Sequence, residues 1–167
     1  MTSDSECARR LRAALTAAEP LLRSISESDS ARRPGPDKWS PRQIIGHLID
    51  SASNNHQRFV RAVWQEDLVF SGYEQEEWVD LQRYQETAWS ELLTFWLAYN
   101  RHLVRVMSAV PPEARLRVHV RHNLHAIATH APSRPEQATL DYFTLDYVDH
   151  LELHLRQILG ASWMPAT

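Results

Sequence analysis

Trp39-Ser40-Pro41-Arg42-Gln43-Ile44-Ile45-Gly46-His47-Leu48-Ile49-Asp50 is the stretch whose reading decides the fold. Ser40 carries the short hydroxyl of an N-cap, Pro41 the fixed φ suited to a first helical position, and Gln43 the amide that closes a capping box, while Trp39 is placed to staple onto Ile44. A helix therefore starts at Pro41 and is expected to run to about Gln65. Its inward row, Ile44, His47, Ser51, Asn54 and Arg58, keeps the four-three rhythm of one helical face but turns polar after the first residue.

Outward from this helix the same rhythm recurs. Leu11, Leu15, Ala18, Leu22 and Ile25 form one stripe, with Ser3 and Glu6 spaced for a capping box ahead of it. Leu92, Trp96, Tyr99, Leu103, Val106 and Val110 form another, which stops at Pro111-Pro112. A last helix is expected from about Thr139, with Asp141 favourably placed in its first turn and Gly160 as its terminator. Between these lie a Ser/Arg/Pro/Gly-rich loop (26–38), a connection (66–86) pinned by Phe70, Tyr73, Trp78 and Tyr84, and an aperiodic stretch (113–137) with brief alternation from Arg117 to Arg121. Four helices of about 20 residues, each with one apolar stripe, predict an all-α four-helix bundle with long inter-helix connections, in a single domain over 1–167. Up-down and crossover topologies both remain open.

Composition narrows the function. The chain has 18 Lys+Arg against 21 Asp+Glu, a net charge of -3, which argues against a nucleic-acid-binding face. No apolar run approaches the ~18 residues of a membrane span, and Met1-Thr-Ser-Asp-Ser-Glu lacks the features of a signal peptide. The single Cys7 excludes an intrachain disulfide and Cys-cluster metal sites, so a reducing, cytoplasmic location is expected. Gly35, Gly46, Gly72 and Gly160 are too scattered for a phosphate loop. Nine histidines stand beside that one cysteine, so chemistry is sought at His.

Two seams carry polar residues at core positions: the row from His47 to Arg58, and Phe143, Tyr147, His150, His154 and Gln157 in the last helix. Buried without partners, such groups cost on the order of 1 to 3 kcal/mol each, so they bond across the bundle or bind something. His150 and His154, four apart, stack two imidazoles one turn above the other, the only His-x-x-x-His in the chain. His47 follows Gly46, whose missing side chain lets a helix or ligand approach closely. Three imidazoles from two helices would leave coordination positions open, a catalytic pattern, but two histidines satisfied by backbone or carboxylate remain the alternative. No Glu-x-x-His occurs, which disfavours a di-iron bundle.

These residues resemble the DinB-like superfamily and, within it, the YfiT-like branch of metal-dependent hydrolases. The likeness rests on Lys38 to Asp50, on Thr139-Leu140-Asp141-Tyr142, and on Asp146-Tyr147-Val148-Asp149-His150-Leu151-Glu152-Leu153-His154-Leu155-Arg156-Gln157-Ile158, with Tyr73 to Tyr84 similar to the family's aromatic connection. The resemblance spans about residues 10 to 160. It implies a mononuclear divalent metal held by His47, His150 and His154, nickel or zinc, with iron or manganese as further options. It also implies frequent homodimers, and in some members a transferase reaction using a low-molecular-weight thiol. The chain departs from the family in its long Arg115 to Glu136 segment, which contains His119, His122, His125 and His130.

A metal with an open position can lower the pKa of bound water to ≈ 7 and polarise a carbonyl, so hydrolysis of a small-molecule substrate is the first expectation. A thiol-dependent transferase is the second, and a non-catalytic metal- or ligand-binding helical module the third. Asp50 and Asp146, each a turn from a histidine, are expected either to accept a free imidazole N–H or to act as general base. Asn54, Arg58 and Tyr147 line the substrate pocket or bond between helices. The His119 to His130 loop forms a second metal site or is solvated, and His56 and His102 fall off the seams.

Overall fold

The capping box at Ser40 forms as the sequence predicts: Gln43 N donates to Ser40 Oγ at 3.3 Å, and Ser40 N donates to Gln43 Oε1 at 3.1 Å. The computed structural model describes residues 5–165. In chain order the α-helices are α1 (Glu6–Arg23), α2 (Glu27–Ala31), α3 (Pro41–Ala62), α4 (Gln75–Leu81), α5 (Trp89–Ala109), α6 (Pro112–Arg115), α7 (Leu124–Ile127) and α8 (Leu140–Leu159), with 3₁₀ turns at Tyr84–Glu86 and Pro135–Gln137. The long helices α1, α3, α5 and α8 make the four-helix bundle. Ser3 lies outside the described residues; the cap described for α1 is Ser5, whose Oγ accepts from Ala8 N. Thr139 caps α8 through Tyr142 N, and Gly160, at φ 102°, ends it.

The principal contacts between long helices are α3 with α5, α1 with α5, α1 with α8, and α3 with α8. Round the bundle the order is therefore α1, α5, α3, α8. Helices joined directly in sequence, α1 to α3 and α5 to α8, stand diagonally, so the crossover reading holds and the long connections are needed to reach across. The core between them is built from Leu11, Leu22, Ile45, Leu48, Phe59, Trp96, Leu103 and Leu151, all at most 1% exposed. Each such side chain contributes roughly 1.5–3 kcal/mol.

Three expectations need correction. Helix α3 ends at Ala62, short of Gln65, because the chain must turn to bury Leu68. Leu68 N donates to Arg121 O at 3.0 Å and Leu68 O accepts from Asn123 N at 3.0 Å, an isolated parallel bridge that uses the end of the alternating stretch. The loop over 26–38 and the connections contain short helices that no apolar rhythm announces. In α5 the buried face runs through Leu93, Leu97, Asn100, Val104 and Met107 as well as Leu92, Trp96 and Leu103, whereas Val106 and Val110 are only half-buried. Among the described residues no helix is long and apolar enough to cross a membrane.

Candidate metal centre

His47 sits in the second turn of α3, fully buried, and His150 and His154 project from consecutive turns of α8, the helix packed beside it. One ring nitrogen from each lies within 4.8 Å of the others, and no second group of three or more His, Cys, Asp or Glu is placed this way among the described residues. The Nε2 atoms of His47 and His150 are 3.2 Å apart. The three rings meet edge to face, with centroids 4.6 to 5.1 Å apart, and Trp39 lies against His47 at 5.1 Å.

Burial pushes the His47 and His150 pKa values down to about 3, and the neighbouring imidazoles push further in the same direction. His154 is lowered too, by burial, against the opposing bond to Gln157. The cluster is therefore neutral near pH 7, with lone pairs available. Nδ1–H of His154 donates to Gln157 Oε1 at 3.0 Å, which leaves Nε2 as its lone-pair atom. Nδ1 of His47 and of His150 are buried without a hydrogen-bond partner among the described residues. Tetrahedral coordination with metal–N bonds of about 2.0–2.1 Å sets ligand nitrogens about 3.3 Å apart, close to the His47–His150 separation. The donor set and its spacing fit a divalent ion.

Neither carboxylate takes the first of its two expected roles, accepting an imidazole N–H. Asp50 Oδ1 accepts from Tyr84 Oη and from Gln82 Nε2, each at 2.7 Å, and its Oδ2 is buried without a partner. Asp146 accepts from the backbone N–H of Thr129 at 2.8 Å and of His130 at 2.7 Å, with the His130 ring at 3.3 Å. Neither is hydrogen-bonded to a clustered imidazole. Burial raises the pKa of both, opposed by those same hydrogen bonds. The close approach that Gly46 permits is made by the Tyr84 ring: a Cβ there would lie 2.1 Å from Tyr84 Cδ2.

A cavity of about 160 Å³ opens beside His150, lined by Ser51, Asn55, Arg58, Tyr73, Asp146 and Tyr147 among others. Arg58 and Tyr147 are thus at the cavity, although Tyr147 Oη also donates to Asn100 Oδ1 at 2.6 Å and ties α8 to α5. Asn54 lines a neighbouring cavity and donates to Asp50 O at 2.9 Å. Its place on the inner face is taken by Asn55, which the sequence reading missed. Spacings 51–54–58 and 51–55–58 fit a helical face equally well, and what separates them is the burial of Asn55 and its bonds to Ser51 and Arg58. A second, larger depression of about 780 Å³ reaches His154 from the other side, between Lys38, Trp39, Glu76 and Gln157.

The remaining histidines, apart from the exposed His125, have local duties. His119 is buried and donates from Nδ1 to Glu66 O at 2.6 Å, His122 Nδ1 accepts from Leu124 N at 3.3 Å, and His130 faces Asp146. His56 and His102 are half-buried and packed together, with His56 Nδ1 3.3 Å from Tyr99 Oη.

Residues 10–158 match the profile of the DinB superfamily. A protein from Bacillus mycoides strain KBAB4 named "Putative metal-dependent hydrolase" is 30% identical over 64 residues, 36% of this chain and 37% of its own length. One of the same name from Oceanobacillus iheyensis is 39% identical over 46 residues, 28% of this chain and 27% of its own. The matched segments thus span about a third of these relatives. YfiT from Bacillus subtilis, described as a probable metal-dependent hydrolase with an unusual four-helix bundle topology, superposes with a TM-score of 0.73 over 97% of this chain and 90% of that one, at 18% identity.

Proposed function

The chain belongs to the DinB superfamily, and from that membership we propose that it is a metal-dependent hydrolase acting on a small-molecule substrate at His47, His150 and His154. The observation that carries this reading is the convergence of three neutral imidazoles, ligand atoms within 4.8 Å, beside a polar cavity. A divalent ion bound there supplies Lewis acidity toward a carbonyl and acidifies a water. Gln157 orients His154, and Trp39 braces His47. Asp146 is the one carboxylate lining the cavity beside His150, so its carboxylate oxygens are where a proton leaving the nucleophile is received. Asp50, tied to Tyr84 and Gln82, anchors the connection behind the ligands.

Imidazole donors suit nickel and zinc, and bind iron or manganese less tightly. Elemental analysis of protein purified without an affinity tag, beside His150→Ala, tests the site. One equivalent of nickel or zinc in the wild type and none in the variant is expected; equal metal in both overturns it.

A second reading is favoured by one observation, the larger depression on the His154 side, which gives two reactants separate approaches. On that reading the protein is a transferase using a low-molecular-weight thiol. Turnover of a substrate panel only when thiol is added would select it over hydrolysis. A homodimer belongs to the same proposal, supported by the exposed Trp64 and Val120 and checked by sedimentation velocity, and a cytoplasmic location is supported by the single free Cys7.

A further inference from the structure

We propose that the cavity beside His150 is a carboxylate-binding site whose cation is Arg58, so that the substrate is a small organic acid. Its orientation toward the reacting centre rests on the metal reading above; the anion site itself does not.

Arg58 is the most buried arginine among the described residues, 6% exposed, and it has no carboxylate within ion-pair distance there. The more exposed arginines Arg10, Arg42, Arg115 and Arg156 are each paired with an Asp or Glu. Among the described residues Arg58 bonds only to neutral oxygens, Nη1 to Asn55 Oδ1 and Nη2 to Ser71 O. A guanidinium has five N–H donors in a planar fork, so most of this one is left for a ligand. A buried cation without a counter-ion is costly in a folded chain, and an anion entering the cavity offsets that cost.

The cavity's other groups set the class of anion. Ser51 and Tyr73 add hydroxyls, and Phe143 and Ile127 add apolar wall, within about 160 Å³. The lining holds one guanidinium and one carboxylate, Asp146. A singly charged carboxylate on a short carbon chain is matched by Arg58 alone. A phosphate dianion would bring a second charge with only Asp146 to meet it.

The test titrates butyrate, with butyramide and inorganic phosphate as comparators, into metal-free and zinc-loaded protein by calorimetry. Butyrate is expected to bind the metal-free wild type, butyramide and phosphate at least tenfold more weakly. Arg58→Gln should weaken butyrate at least tenfold. Asn55→Asp should do the same by giving Arg58 an internal counter-ion, which keeps the test alive if Arg58→Gln does not fold, as circular dichroism would report. Equal butyrate affinity in wild type and folded variants, no butyrate binding to the wild type, or tighter phosphate binding overturns the proposal. Metal content of the same samples separates the two readings. Stoichiometric zinc with butyrate binding indifferent to Arg58 removes the carboxylate site alone, and Arg58-dependent butyrate binding without zinc binding removes the metal site alone.

Discussion

The Nε2 atoms of His47 and His150 face each other at 3.2 Å, although 103 residues separate them in the chain. Both rings are held neutral, with pKa values pushed down to about 3 from an ordinary 6.5. Below pH 6.5 the unfolded chain takes up these protons first, so the stabilising effect is whole above that pH and is lost as pH falls toward 3. Metal-free protein should therefore lose on the order of a few kcal/mol between pH 6.5 and 4. Asp50 and Asp146, whose pKa values are raised, act in the opposite sense just above 3.8. Thermal melts of wild type and His47→Gln across this range isolate the histidine part: the variant's slope should be clearly flatter, and parallel slopes would refute the neutral pair.

Metal binding should add stability by mass action. At zinc a hundredfold above its Kd the gain is about 2.7 kcal/mol, or roughly 5–10 °C in Tm for a chain of this size. His154→Ala should abolish the shift. Gln157→Ala, which removes only the acceptor of His154 Nδ1–H, should weaken zinc by roughly tenfold while leaving one equivalent at saturation. A Gln157→Ala protein with wild-type zinc affinity would show that the bond has no orienting role.

Gly46→Ala reverses the usual helix preference. Alanine favours a helix by about 1 kcal/mol over glycine, yet here its Cβ would meet three atoms of Tyr84 at 2.1 to 2.7 Å. The ring must leave, and its bond to Asp50 goes with it. A net loss of about 2 kcal/mol is expected from urea denaturation. Tyr84→Phe keeps the packing and loses the hydroxyl alone, so it should cost about 1–2 kcal/mol. A neutral or stabilising Gly46→Ala would mean that the ring is not held against α3.

The caps at Ser40 and Thr139, the glycine stop at Gly160 and the proline stop after Val110 were legible because each acts within one helical turn. His47, His150 and His154 could be singled out because polar groups interrupt otherwise apolar rows, which is also a local signal. What was hidden depends on contacts far apart in sequence. Asp50 could not show that it binds Tyr84, which comes from 34 residues further on, past Arg83 at φ 55°. Helices of four to seven residues such as α6, α7 and α4 are too short for a rhythm to register. His119 looked like part of a solvated loop because nothing near it in sequence reveals Glu66 O.

Asp146 offers the sharpest separation of holding from ligating. Oδ2 accepts from Thr129 N and Oδ1 from His130 N, and Tyr142 Oη adds a bond to His130 O at 3.0 Å. Together they fasten the segment after α7 onto α8, one turn before His150, with Thr129 forming part of the cavity wall. Asp146→Ala removes both backbone acceptors and leaves the Thr139 cap and the histidines in place. Amide exchange at Thr129 and His130 should then accelerate by roughly ten- to a hundredfold, because each part-buried bond lost costs about 1–3 kcal/mol locally. Zinc stoichiometry should stay at the wild-type value, since Asp146 is bonded to none of the three imidazoles. Unchanged protection at both amides would show that the segment is held by something other than Asp146, whereas loss of zinc along with protection would show that the wall and the metal centre form one unit.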